Sequence, residues 1–172
     1  FEAVERKKGV FNPRNELQEK FGRVIVMADG AHAFGAQWHG KMCGEIADFT
    51  NFSFHAVKNM TTAEGGAAVH RSHDGIDEEE MYKQYMLLSL HGQTKDAYQK
   101  NKVVDTQYKC NMTDVLAAIG VAQLERYDQM LERRHQLIKL YNEEFKDLPV
   151  QVLNHCDENH RSSGHLYFVR FI

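Results

Sequence analysis

Hydrophobic and polar positions follow one period in the first part of the chain and another in the second. Val24, Ile25, Val26 and Met27 run without a polar break in RVIVMADG. Such a run predicts a buried strand, as in a parallel sheet covered on both faces. Asp29 stands at its C-terminal end. Two more strands are predicted over 48–55 (DFTNFSFH) and 66–70 (GAAVH). The period then lengthens. In IDEEEMYKQYMLLSLHG, Met81, Tyr85 and Leu88 share one helical face and Gly92 ends the element. Glu78, Glu79 and Glu80 open it, where the helix dipole favours acids. A polar loop is expected over 91–109. Thr113 is a plausible N-cap for a long helical stretch to about Phe145, with a bend near Tyr127. Leu116, Ile119, Leu124, Met130, Leu131, Leu137, Ile138 and Tyr141 supply its apolar face. Pro149 follows, and VQVL and HLYFVRF are strand-like. Near the start, FEAVERKKGVF is an amphipathic segment that stops near Asn12 and Pro13. NELQEKFG predicts a helical turn or two closed by Gly22. Strands followed by helices, with buried-strand composition, predict α/β architecture.

Composition narrows the class without naming it. The chain has 172 residues, 42% of them hydrophobic and 26% charged, which suits a globular domain or part of one. A net charge of -3 gives no electrostatic basis for nucleic-acid binding. No apolar run is long enough to predict a membrane span. Cys43, Cys110 and Cys156 are widely spaced and odd in number. They predict free thiols in a reducing compartment, hence a cytoplasmic location. The sequence starts at Phe1 without a methionine and stops at Ile172 within a strand-like run. It is therefore expected to be part of a longer protein.

The stretch FSFHAVKNMTTAEGG carries the candidate chemistry. A lysine amine can bond to a carbonyl carbon when it is reachable and partly desolvated. Lys58 follows an apolar run that can bury its stem. Ser53 precedes it, and Thr61, Thr62, Gly65 and Gly66 follow. Hydroxyls and glycine-freed backbone N–H groups suit a phosphate. Lys58 on its own would be read as a surface residue, the common state of lysine. Asp29 alters that balance, because ligands of open α/β sheets bind at the carboxyl ends of strands. An acid there can hold a protonated ring nitrogen, as pyridoxal phosphate requires; a turn aspartate is the plainer use. His32 could hydrogen-bond or stack on a flat ring, or be satisfied by backbone. Asp29, Ser53 and Lys58 thus offer complementary groups for one cofactor. His70 and His73, and the group His155, Cys156 and His160, lack the tight paired spacing of zinc sites, so no metal is expected. Phe34 and Trp38 are expected in the core or at a subunit contact.

These residues resemble the active-site block of the DegT/DnrJ/EryC1/StrS family of nucleotide-sugar aminotransferases. The resemblance lies in Asp29, Ala31 and His32, then Ser53, Phe54, Lys58 and Asn59, then Thr62, Glu64, Gly65 and Gly66. YKCNMTDVLAAIGVAQLERYD and HLYFVRF resemble downstream family segments. The resemblance implies a fold-type I transferase: a mixed, mostly parallel sheet with helices on both faces, a long helix, and the start of an α+β small domain. Residues 1–112 would belong to the large domain, 113–147 to the connecting helical segment and 148–172 to the small domain. Lys58 would be the Schiff-base lysine and proton shuttle, Asp29 the partner of the pyridinium nitrogen, and Ser53 a phosphate ligand. His32 would lie against the ring or near its phenolic oxygen. The segment around Lys109 and Asn111 would reach the partner subunit's cofactor in a homodimer with a shared site. Family members often have Asn-Tyr-Arg where Lys109, Cys110 and Asn111 stand, so Asn111 suits an uncharged hydrogen bond to phosphate and Lys109 a point charge. The implied reaction moves an amino group, usually from glutamate, onto a keto-sugar linked to a nucleotide diphosphate. Relatives with histidine in place of the lysine dehydrate instead. An incomplete, non-catalytic fragment is the other reading.

Overall fold

The computed structural model describes residues 1–93 and 107–172. Most of the polar loop expected over 91–109 lies outside the described residues. The chain divides into two compact units, Phe1–Ile25 with Ser72–Thr113, and Val26–Arg71 with Asp114–Ile172.

The first unit is helical. Its elements are α1 (Glu2–Arg6), α2 (Glu16–Phe21) and α3 (Glu78–Ser89). Gly22 ends α2 as expected, while α3 stops at Ser89, short of the expected Gly92. The Asn15 side chain accepts a hydrogen bond from Gln18 N at 2.9 Å, and Gly22 closes α2 in the left-handed region. Asp77 caps α3 through Glu80 N at 3.0 Å, and Glu78, Glu79 and Glu80 fill its first turn. Phe21 and Arg23 are buried here. The Arg23 guanidinium lies over the Phe1 and Phe21 rings and pairs with Glu5 at 3.0 Å. Of the face expected on α3, Met81 and Tyr85 are half-buried while Leu88 is exposed. One helix edge is thus too narrow to cover all three.

The second unit holds the sheets: β1 (Met27–Asp29), β2 (Gln37–Trp38), β3 (Lys41–Met42), β4 (Phe49–Ser53), β5 (Gly66–His70), β6 (Val150–Val152), β7 (His160–Arg161) and β8 (Val169–Phe171). Helices α4 (Asp114–Leu124) and α5 (Tyr127–Phe145) stand between β5 and β6. The order in the principal sheet is β1-β4-β5. β1 runs parallel to β4 with Asp29 opposite Asn51, and β4 runs antiparallel to β5 with Ser53 opposite Gly66. Two smaller sheets, β3-β2-β7 and β6-β8, are antiparallel.

The strand expected over RVIVMADG is shorter and more open than its composition predicts. Only Met27–Asp29 pairs, and Val24 and Met27 are exposed. Among the described residues β1 has a neighbour on one side only, so nothing covers it from the other. The bend near Tyr127 is present. Arg126 N bonds back to Gln123 O at 3.3 Å, a tightened turn, and the helix restarts at Tyr127. Tyr127, Leu131 and Ile138 of α5 are buried with Ala47, Phe54 and Met60. Ile119, Leu124 and Tyr141 of the expected apolar face are exposed. Leu124 lies instead on the wall of an apolar cavity of about 720 Å³ that also touches Met42, Phe52, Val69 and Leu131. Phe34 packs edge-to-face on Phe52, Phe54 and Tyr127. Trp38 is exposed on β2, so it is not a core residue.

Candidate functional site

β1 and β4 end side by side, and the loops leaving them build the site. After Asp29 the chain must turn against its neighbour. Gly30 makes this possible: a Cβ there would lie 2.8 Å from Thr50 Cγ2 and 3.0 Å from Asn51 O. Gly30 N donates to Asn51 O at 2.8 Å, and Ala31 N donates to Asp29 Oδ1 at 3.0 Å. Asp29 is exposed at the strand end, and Ala31, His32 and Phe34 follow it towards a narrow cleft.

β4 delivers Ser53 to the same cleft. A tight turn follows, with Lys58 N donating to His55 O at 2.9 Å. Lys58 is half-buried, while Asn59, Met60 and Thr62 just after it are buried. Phe54 O accepts from Thr62 N at 2.9 Å and from Thr61 Oγ1 at 3.2 Å, and Phe54 N donates to Gly65 O at 2.8 Å. The lysine is therefore carried on a loop fixed on both sides. Gly66 belongs to that fixing, since a Cβ would lie 2.6 Å from Phe52 O. Among the described residues no hydrogen bond or ion pair engages the Lys58 amine. His32, Ser53 and Lys58 line one cleft with Asn59, Met60 and His165. Asp29 stands one strand over from β4, opposite Asn51 and two residues from the register of Ser53. Asn111 is exposed in the other unit.

Asn59 and His165, outside the expected site residues, complete the wall, and Ser163 ties Asn59 in place. Asn59 Nδ2 donates to Ser163 O at 2.7 Å, so its Oδ1 faces His165 Nδ1 at 2.8 Å. A carbonyl can only accept, which fixes the amide orientation and makes His165 Nδ1 the donor. The other nitrogen, Nε2, then carries the lone pair in the neutral ring. Burial holds His165 below the usual histidine range, with the charges of His32, Lys58 and Arg134 adding to it. The His32 and His165 rings lie 4.2 Å apart, and Ser163 Oγ donates to His32 O. Beneath them, the Tyr127 hydroxyl donates to Phe34 O at 2.6 Å, and burial raises its phenol. Asn59 and His165 stood in recognisable motifs. What the sequence lacked was any sign that a residue about a hundred positions further on would meet the lysine loop.

The donor set fits pyridoxal phosphate in kind: an unengaged amine for the aldehyde, a hydroxyl for phosphate, a carboxylate for ring nitrogen, and imidazoles beside them. No metal-binding group of three or more His, Cys, Asp or Glu occurs among the described residues. No helix among them is long and apolar enough to cross a membrane.

Known proteins are similar over nearly the whole chain. The pattern of the DegT/DnrJ/EryC1/StrS aminotransferase family matches residues 15–172. The structure superposes on the putative sugar aminotransferase Spr1654 from Streptococcus pneumoniae, PMP-form, with a TM-score of 0.96 and 46% identity, covering 99% of this chain and 43% of that one. A PLP-form of the same protein gives a TM-score of 0.95 and 45% identity over the same shares. The spore coat polysaccharide biosynthesis protein SpsC of Bacillus subtilis is 36% identical over 155 residues, 86% of this chain and 38% of its own. The UDP-4-amino-4,6-dideoxy-N-acetyl-beta-L-altrosamine transaminase of Campylobacter jejuni is 34% identical over 153 residues, 89% of this chain and 39% of its own. The chain thus spans about two-fifths of the length of the relatives it matches. The expected fold class holds: the fold is that of part of a sugar aminotransferase.

Proposed function

The chain belongs to the DegT/DnrJ/EryC1/StrS aminotransferase family, and from that footing we propose that it contributes the lysine half of a pyridoxal-phosphate site in a nucleotide-sugar aminotransferase. The amino donor is an amino acid, glutamate first among them. The acceptor is a keto-sugar linked to a nucleotide diphosphate, made for a polysaccharide or glycan precursor. The activity is that of a polypeptide of the relatives' length, acting in the cytoplasm as a homodimer with a shared site. In that protein residues 1–112 form part of the large domain, 113–147 the connecting helices and 148–172 the start of the small domain.

One observation carries this reading: an unengaged lysine amine shares a cleft with a serine hydroxyl and two imidazoles at the carboxyl ends of neighbouring strands. When bound, pyridoxal phosphate supplies an electron sink that acidifies the C–H beside a substrate nitrogen. The chain's own residues have separate tasks. Lys58 Nζ would hold the cofactor at its aldehyde carbon and would move a proton at the substrate carbon. Ser53 Oγ donates to phosphate, and Asp29 keeps a ring N–H charged. His32, braced by Ser163 and His165, borders the ring. Asn111 serves the partner subunit's phosphate. Phe34 and Met60 exclude water from the lysine side of the cleft. A lysine at position 58, rather than histidine, favours amino transfer over dehydration.

Borohydride reduction after incubation with pyridoxal phosphate, followed by peptide mass mapping, tests the reading. The expected result is a reduced adduct on Lys58 that Lys58→Ala abolishes. Labelling spread over other lysines, or none from folded protein of full length, would overturn it.

A further inference from the structure

Cys43, Cys110 and Cys156 are the three cysteines of the chain, and their surroundings differ. Cys43 is half-buried on the wall of the large apolar cavity, and burial pushes its thiol up. Cys110 is exposed, and among the described residues no hydrogen bond engages its sulfur. Cys156 is exposed as well, but its Sγ lies 3.3 Å from Nδ1 of His135. An accessible sulfur with a ring nitrogen in hydrogen-bond reach is a nucleophile beside a base.

Both members of the pair are held in place. His135 is 4% exposed, on the face of α5 that also buries Leu131 and Ile138. Burial holds its ring below the usual histidine range; Arg161 and His155 add to this, while the Ser162 backbone and Glu132 oppose it. The ring is therefore neutral and free to accept a proton. Sulfur is a weak acceptor, so the thiol donates to Nδ1 and not the reverse. Cys156 is carried to this ring by a closed turn. It pairs with Arg161 across a single bridge, Asp157 N donates to His160 O at 2.9 Å, and Ser162 N donates to His155 O at 2.8 Å. Cys156 N donates to Asn154 Oδ1 at 3.3 Å. The charges around the pair are themselves matched: Arg161 with Glu132 at 2.8 Å, and His160 with Asp157 at 2.8 Å.

We propose that Cys156 is a modification site, a thiol that reacts with peroxides because His135 takes its proton as the sulfur attacks. The sulfur bonds to one peroxide oxygen while the O–O bond breaks. The departing hydroxide receives the proton held by His135 and leaves as water. Sulfur loses two electrons, the peroxide gains them, and Cys156 becomes a sulfenic acid. Two equivalents of a small thiol reverse the step, giving back the cysteine with water and a small-molecule disulfide. Neither Lys58 nor a cofactor takes part, so the site stands apart from the aminotransferase reading.

Dimedone trapping during exposure of the full chain to dilute hydrogen peroxide, read by peptide mass mapping, tests it. Cys156 should be labelled roughly tenfold faster than Cys110, the exposed thiol without a base. His135→Gln keeps a polar side chain but removes the base. It should slow Cys156 by roughly the same tenfold and leave Cys110 unchanged. At about pH 10, above the ordinary thiol range, solvent removes the proton in either protein, and the two should react alike. A merely structural effect of the substitution would persist there. Dithiothreitol added before dimedone should prevent labelling. If His135→Gln fails to fold, the ratio of Cys156 to Cys110 in the wild type decides. Equal labelling of those two in the folded wild type, an unchanged Cys156 rate in His135→Gln, or a deficit that survives at about pH 10 would overturn the proposal.

Discussion

Truncating Asn59 separates the scaffold of the site from its chemistry. The side chain is 6% exposed and joins two distant segments by two hydrogen bonds, to Ser163 O at 2.7 Å and from His165 Nδ1 at 2.8 Å. Asn59→Ala removes both and strands both partners. Ser163 is buried, so its carbonyl carries the full cost of an unsatisfied group, about 1–3 kcal/mol. His165 is only half-buried and can recruit water, so its loss is nearer the net value of one hydrogen bond, about 1 kcal/mol. The sum is about 2–4 kcal/mol. With a urea slope of about 2 kcal/mol/M, the midpoint should fall by about 1–2 M. Trp38 is the single tryptophan and lies in the same compact unit, so its fluorescence reports the transition. Lys58→Ala is the control. It removes an amine that makes no hydrogen bond among the described residues, and should shift the midpoint by a small fraction of that amount while abolishing the borohydride adduct. An Asn59→Ala midpoint within about 0.3 M of wild type would refute the claim that this amide ties the lysine loop to the C-terminal segment.

Gly66→Ala should destabilise by about 1–3 kcal/mol, because the new Cβ would lie 2.6 Å from the Phe52 carbonyl oxygen and the backbone must move; thermal unfolding by circular dichroism checks it. Stability should also fall as pH drops below 6.5. Burial first of all holds His135, His155 and His165 below that ordinary value. The unfolded chain therefore binds protons that the folded chain refuses, and the contribution present above 6.5 is lost as pH falls through the folded values. His160, raised by its bonds to Asn154 and Asp157, acts in reverse, its contribution complete below 6.5 and lost as pH rises through its folded value. It is one half-buried ring against three that burial depresses, so the fall at low pH should dominate. Unfolding midpoints measured from pH 8 downwards test this, and a His135→Gln variant should show a shallower fall.

The chain's own pattern determined whatever depends on near neighbours. Asn15 and Gly22 bound α2, Asp77 starts α3, and β5 spans the five residues of GAAVH, because caps and alternation act over a few positions. The positions of the candidate residues were legible for a related reason: Asp29 and Ser53 end β1 and β4, and His32 and Lys58 stand in the loops that follow. The hairpin of β2 and β3 was legible in principle, since His39–Gly40 between the strands takes positive φ at both positions. Tertiary structure decided the rest. Whether RVIVMADG is covered depends on what stands beside β1, and no hydropathy pattern carries that. Spacing puts His135 on the face of α5 that also buries Leu131 and Ile138, but its partner there comes from far along the chain, with Cys156 Sγ 3.3 Å from its Nδ1. The link from Asn59 to Ser163 and His165 spans more than a hundred residues. Such a contact leaves no periodic trace in either segment, because it is set by where two loops arrive and not by what lies next to them in the chain.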